Sequence, residues 1–187
     1  YHDEKTGRDI TLANEIRLPA GKPVYLALQS DDVIHSFWVP ALAGKIDMLP
    51  GRLTRLRIHP DKPGVYRGQC AEYCGLQHAN MALHVVVEDE ADFQAWFANQ
   101  RQPAVPPRND LLAKGRDIFI AQRCSACHTI RGEVEENLVG GVNLGPDLTH
   151  VGSRLFLGAG MLRNEDGALQ NWIAHTQRVK RGARSEE

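Results

Sequence analysis

Between Cys70 and Met81 the chain reads Cys-Ala-Glu-Tyr-Cys-Gly-Leu-Gln-His-Ala-Asn-Met, two thiols, an imidazole and a thioether in one short loop. A second histidine, His35, lies upstream in Val33-Ile34-His35-Ser36-Phe37-Trp38. Soft sulfur donors mixed with imidazole select copper, zinc or iron over calcium and magnesium. One cysteine, two histidines and a weak axial methionine would make a mononuclear blue-copper site. The second cysteine opens another arrangement, in which Cys70 and Cys74 point into one site and bridge two metal ions. His35 and His78 then give each ion one imidazole. Met81 serves one ion as a weak axial donor, and a backbone carbonyl serves the other. A disulfide or structural zinc pair at Cys70 and Cys74 is the competing reading; it leaves the flanking histidine and methionine without a role. A site assembled from such distant residues requires a rigid frame around the loop.

The frame reads as β-structure. Val24, Leu26 and Leu28 alternate with Tyr25 and Ala27, and Thr54, Leu56 and Ile58 alternate with Arg55 and Arg57. This period of two marks strands with one polar face. Residues 81–88 are a β-branched run, and Gly21, Gly44, Pro50-Gly51, Pro60 and Pro63-Gly64 supply turns. Several short strands at this spacing predict a sandwich or barrel. After Asp89, Phe93, Trp96 and Phe97 fall at i, i+3 and i+4, the apolar stripe of a packed helix.

Here the sequence resembles a known family, subunit II of the haem–copper cytochrome c oxidases. The resemblance is carried by Asp32–Pro40, by Gly44–Arg52 and by Tyr66–Met81, and it covers nearly all of residues 10–100. It implies a Greek-key cupredoxin sandwich holding a dinuclear copper (copper A) centre. The implied ligands are the side chains of His35, Cys70, Cys74, His78 and Met81, with Glu72 ligating through its carbonyl. The Glu72 carboxylate would face subunit I and help to hold a magnesium ion there, and Asp47 would lie near the same boundary. His78 would be the ligand on the exit side. His2, His59 and His84 read as structural or solvated.

Residues 101–109, Arg-Gln-Pro-Ala-Val-Pro-Pro-Arg-Asn, form a stiff boundary that reaches about 28 Å at ~3.1 Å per residue. Beyond it stands Cys124-Ser125-Ala126-Cys127-His128, the attachment signature of c-type haem. In that reading the two thiols form thioethers with the haem and His128 becomes the proximal ligand. A thioredoxin-like redox pair is the rival, but it requires no histidine at this place. The surroundings resemble the cytochrome c domain fused to subunit II in caa3-type oxidases. The matching residues are Lys114-Gly115 and Phe119 in a first helix and Leu144–Leu148, expected to pack on the proximal histidine. Asn164 would cap a helix with Leu169, Trp172 and Ile173 on one face. The implied architecture is a cupredoxin domain at 1–100, a linker at 101–109 and a small all-α class I cytochrome c-like domain at 110–187. The last of these lacks the usual distal methionine segment and closing helix, as a truncated domain would. Met161, His150 and His175 are the candidates for the distal position.

Composition fits this picture: 42% hydrophobic and 24% charged residues in 187 are ordinary for a soluble protein. A formal net charge of −1 gives no electrostatic case for nucleic acid. No stretch approaches the eighteen or so apolar residues of a membrane span. The chain begins at Tyr1 rather than Met, and the resemblance implies a membrane hairpin upstream of it. The expected location is the periplasmic face of a bacterial inner membrane, with the full-length protein anchored and this chain soluble.

The function expected from these residues is electron relay in a terminal oxidase. Electrons would come from a donor, cytochrome c or a quinol-oxidising complex, through haem c and copper A to haem a of subunit I. Oxygen reduction and proton pumping would occur there and not on this chain. A copper-A nitric oxide reductase relay and a soluble periplasmic copper/haem carrier are the alternatives. A nitrous-oxide-reductase-like enzyme would need a large His-rich catalytic domain, absent from these residues.

Overall fold

Eleven strands and four α-helices are formed by the residues that the computed structural model describes, 1–133 and 145–183. In chain order the strands begin with β1 (His2–Asp3), β2 (Arg8–Asp9), β3 (Glu15–Pro19), β4 (Val24–Leu28) and β5 (His35–Phe37). β6 (Ile46–Met48), β7 (Thr54–Ile58), β8 (Gly64–Gln69) and β9 (Ala82–Glu88) follow, then helices α1 (Glu90–Gln100) and α2 (Asp110–Ala121). The chain continues with β10 (Phe156–Leu157), β11 (Leu162–Arg163), α3 (Ala168–Ala174) and α4 (Thr176–Val179). Two compact units result, Tyr1–Ala13 with Trp96–Ser153, and Asn14–Ala95 with Arg154–Glu187.

The core of the second unit is built on three of its sheets. β9 lies between β3, which runs parallel to it, and β8, which runs antiparallel. β4 pairs with β7 and β5 with β6, both antiparallel. The core cluster draws Leu18 from β3, Val85 and Val87 from β9, Leu28 from β4, Ile58 from β7 and Phe37 from β5. Side chains from all three sheets thus meet in one layer, which is a β-sandwich. β4 and β7 keep the expected alternation, with Tyr25, Ala27, Arg55 and Arg57 outward. β9 is buried on both faces, as a central strand must be: Val85 and Val87 enter the core, and His84 and Val86 are covered on the other side.

An ion-pair cluster locks the β3–β9 seam. Arg17 lies 3.0 Å from Glu15 and 2.6 Å from Glu88, and all three side chains are largely withdrawn from water. Residues 154–163, placed by the sequence in an all-α domain, form an antiparallel hairpin instead. Gly158, Ala159 and Gly160 at its tip all have positive φ, which no helix can continue.

Asn164 does not cap α3. The helix starts after Gly167, at φ 78°, and the Asn164 amide donates to the Arg154 carbonyl. Trp172 is half-buried, but Ile173 is 69% exposed.

In the first unit, Tyr1 packs edge-on against Trp96, and its amino group donates to the Ile10 carbonyl. This end of the chain is therefore tied down, with His2 in β1 and 2.9 Å from Asp9. Asn109 caps α2, its side chain accepting from the Leu112 amide. Among the described residues, no helix is long and apolar enough to cross a membrane.

Candidate metal centre

The two halves of the donor set are brought together by backbone ladders. Gln69 N–H donates to the Trp38 carbonyl and Ala71 N–H to the Ser36 carbonyl, which lays the Cys70 segment beside β5 and His35. This approach explains Gly68, where a Cβ would stand 2.9 Å from Leu83 Cγ and 3.0 Å from the Trp38 carbonyl. Cys70 N–H in turn donates to the Met81 carbonyl, closing the loop on itself. The Gln69 side chain braces the loop from outside, its Nε2 donating to the His78 carbonyl at 3.1 Å.

The donor atoms converge. Cys70 Sγ and Cys74 Sγ are 3.7 Å apart, too far for a disulfide bond of about 2.05 Å, and both cysteines are free. His35 Nδ1 lies 3.8 Å from Cys70 Sγ, and His78 Nδ1 lies 3.7 Å from Cys74 Sγ. Each thiol also has one weaker neighbour, the Glu72 carbonyl at 3.2 Å from Cys70 and Met81 Sδ at 3.7 Å from Cys74. The donor atoms of His35, Cys70 and Cys74 lie within 4.8 Å of one another. The pattern is nearly symmetrical: two shared sulfurs, with one imidazole and one weak donor on each side. Such a set suits two soft metal ions.

Electrostatics prepares the thiols. Burial alone would raise the Cys70 pKa, but backbone contacts at Ser36 and Glu72 and the two imidazoles bring it down to about 6. Cys74 moves the other way, to about 11, through burial and then the hydrogen bond and charge of Cys70. The pair therefore gives up its first proton easily and holds its second.

Asp32, which the sequence reading quoted without assigning a role, is part of this site. Its Oδ1 accepts a hydrogen bond from His35 Nε2 at 2.8 Å, so that Nδ1 of the ring faces the sulfurs. Aspartate three residues before the histidine was the available signal. Gln69, in the Tyr66–Met81 segment just before the loop, is a second residue of the site to which the sequence assigns no role. His84 stands off the site, buried and stacked on Phe156. Tyr73 and Leu76 are strongly exposed on the loop, as is the Glu72 residue.

The Cys124–His128 stretch follows α2. Arg123 turns the chain in the left-handed region at φ 59°, and Cys124–Ala126 make a short 3-10 turn. Both thiols are exposed and free. His128 Nδ1 donates to the Pro146 carbonyl at 2.9 Å, and Gly145 N–H donates to the Cys127 carbonyl. A Cβ at Gly145 would come within 2.6 Å of the imidazole, so only glycine allows this approach. With Nδ1 committed to a carbonyl, Nε2 keeps the lone pair that a metal takes. The arrangement fits a c-type haem. Leu144, named in the same segment, lies outside the described residues, as do residues 184–187.

The three distal candidates do not all belong to one unit. His150 Nε2 is bonded to the Gln102 carbonyl in the first unit. Met161 and His175 belong to the second unit, Met161 partly exposed beyond the hairpin tip and His175 exposed between α3 and α4.

Residues 3–89 match the family model described as cytochrome c oxidase subunit II, periplasmic domain. The chain is 36% identical over 172 residues to cytochrome c oxidase subunit 2 of Alkalihalophilus pseudofirmus, covering 92% of this chain and 48% of that protein. It is 42% identical over 101 residues to an alternative cytochrome c oxidase subunit 2 of Bradyrhizobium diazoefficiens, covering 53% of this chain and 36% of that one. The chain therefore spans about half, or less, of the length of these curated relatives. Among solved structures, the periplasmic domain of subunit II of cytochrome oxidase of Bradyrhizobium japonicum matches with 36% identity and a TM-score of 0.46, over 47% of this chain and 64% of that one. Residues 3–89, which carry most of the sandwich and the convergent donor loop, are the part of the chain that matches the cytochrome c oxidase subunit II periplasmic-domain family.

Proposed function

We propose that this chain is the electron-transfer part of subunit II of a haem–copper oxidase, with a dinuclear copper site in its cupredoxin body and haem c on its Cys124–His128 stretch. One observation carries the reading: two free thiols 3.7 Å apart, each facing its own imidazole nitrogen. His35, Cys70, Cys74, His78, Met81 and the Glu72 carbonyl would hold the copper ions, and Cys124, Cys127 and His128 the haem. When bound, these groups supply one-electron carriers, and in the copper pair the electron is shared over two ions.

The protein's own contribution is rigidity. Fast electron transfer requires a donor set that barely moves between oxidation states. Cys70 is fixed by backbone bonds on both sides, and Gln69 pins the His78 carbonyl. The exposed Tyr73 and Leu76 form an apolar rim beside His78, suited to docking on the oxygen-reducing subunit. The Glu72 carboxylate, on the same loop, would help to hold a magnesium ion at that boundary. In this assignment the chain passes electrons onward and carries no oxygen chemistry.

EPR spectroscopy of the oxidised, copper-loaded protein tests the proposal. Hyperfine splitting from one unpaired electron shared equally by two copper nuclei is expected. A single-copper pattern would overturn the dinuclear assignment.

A further inference from the structure

The hairpin β10–β11 lies outside residues 3–89, and the donor loop of the metal site does not include it. Its tip nevertheless reaches the strand that leaves Met81. Ala82 N–H donates to the Ala159 carbonyl at 3.0 Å. On the other side of the same peptide, the Met81 carbonyl accepts from Cys70 N–H at 3.0 Å. The Met81–Ala82 peptide is thus gripped at both its polar atoms, one by the donor loop and one by the hairpin. Met81 N–H has only a longer bond, 3.3 Å, to the His78 carbonyl.

Three further contacts seat the hairpin on this edge. Phe156 stacks on His84 with 3.6 Å between centroids and 2° between planes. Leu155 N–H donates to Glu15 Oε2 at 2.8 Å. Gly160, at φ 74°, approaches so closely that a Cβ would lie 2.8 Å from the Ala82 carbonyl. Leu157 and Ala159 are themselves buried. A backbone carbonyl, an aromatic stack, a buried carboxylate and a glycine-only approach converge on residues 82–84 and 15. A loosely draped segment would not show all four.

We infer that the Leu155–Arg163 hairpin is a positioning element of the metal site, which fixes the Met81 thioether by holding the Ala82 amide. The inference rests on the copper reading above for its spectroscopic consequence. Its mechanical part, restraint of the donor loop, does not depend on metal. None of the proposed copper ligands belongs to the hairpin. The hairpin acts through the Met81–Ala82 peptide, whose carbonyl also holds the Cys70 amide, so its removal should loosen the donor loop and alter the geometry first at the Met81 side.

The test uses the full chain and two variants, Gly160→Ala and Phe156→Ala. Gly160→Ala forces the tip away from Ala82. Phe156→Ala removes the stack but introduces no backbone clash, and it keeps the question open if Gly160→Ala fails to fold. In the metal-free proteins the reaction of Cys70 and Cys74 with a small disulfide reagent is timed. Roughly tenfold faster modification is expected in a folded variant, the scale of one lost backbone hydrogen bond. In the copper-loaded proteins the variants should show altered copper hyperfine splitting and a shifted visible band.

Lower thermal stability with unchanged thiol kinetics would overturn the inference, since a merely structural hairpin gives that result. Unchanged spectra in the loaded variants would overturn it equally, provided that the parent shows the two-copper pattern. If the parent itself lacks that pattern, the copper reading fails while thiol kinetics still decides the restraint.

Discussion

Asp32 Oδ1 takes a hydrogen bond from Nε2 of His35 at 2.8 Å, and the opposite nitrogen of that ring faces Cys70 Sγ. A carboxylate behind a ligating histidine fixes its tautomer and raises its basicity, and losing such a partner typically costs about ten- to hundredfold in metal affinity. Asp32→Ala should weaken copper retention by that factor while the sandwich core, which Asp32 does not enter, stays intact. Competition against a chelator of known affinity measures it. Parent-like affinity in the variant would show the hydrogen bond to be incidental.

The thiol pair gives a second expectation. With Cys70 drawn down to about 6 and Cys74 raised to about 11, the metal-free protein at neutral pH carries a single thiolate in the pair. Reaction with iodoacetamide should add one group there quickly and a second only slowly. The rate of the first step should rise through a midpoint well below the ordinary cysteine value of 9.0. Mass spectrometry against pH follows both steps, with Cys124 and Cys127 replaced by serine. Two thiols of equal rate titrating near 9.0 would contradict the coupling.

These two cases show what the sequence could and could not reveal. The loop spacing and the upstream histidine announce a soft-metal site because donor type and spacing are local properties. Strand alternation at 24–28 and 54–58 is local as well, and it appears in the sheets. Asp32 stands in the segment that carries the resemblance but receives no role there, since its role depends on where the His35 ring points. Arg17, Glu15 and Glu88 form no pattern along the sequence and become a cluster only when β3 and β9 pair and bury them. The 154–163 hairpin was hidden for a similar reason. Its glycines mark a turn, but the surface on which that turn lies is set by tertiary contact alone. Asn164 was misplaced as a cap because Asn suits both a helix start and a side-chain bond to a nearby carbonyl; the structure uses the second.

The Cys124–His128 stretch yields a test of the haem assignment. Expressed with a c-type haem attachment system, the protein should carry haem that survives acid–acetone extraction. Cys124→Ser and Cys127→Ser should each leave a single thioether, visible as a red-shifted band in the reduced pyridine complex. Gly145→Ala should disturb the His128 ring, since a Cβ there falls 2.6 Å from it, and so alter the haem spectrum without breaking the thioethers. Complete extraction of haem from the parent would refute the assignment.

His84 gives the last expectation, on pH. Burial, reinforced by the positive charge of Arg67, holds its pKa below the ordinary 6.5, and the weaker pull of Glu15 does not reverse this. The ring lies flat on Phe156 and its Nδ1 is buried without a hydrogen-bond partner among the described residues, so a proton finds no acceptor there. In the unfolded chain the imidazole protonates near 6.5, while in the folded chain it resists until lower pH. Between those two values the unfolded state binds more protons, so stability rises with pH. The contribution is complete above 6.5 and is lost as pH falls through the folded value. His84→Phe keeps a flat ring against Phe156 and removes the proton site. Urea midpoints of the metal-free parent should therefore fall on acidification from pH 7 to 5 more steeply than those of the variant. Parallel curves would mean that His84 is already protonated in the folded state or titrates alike in both.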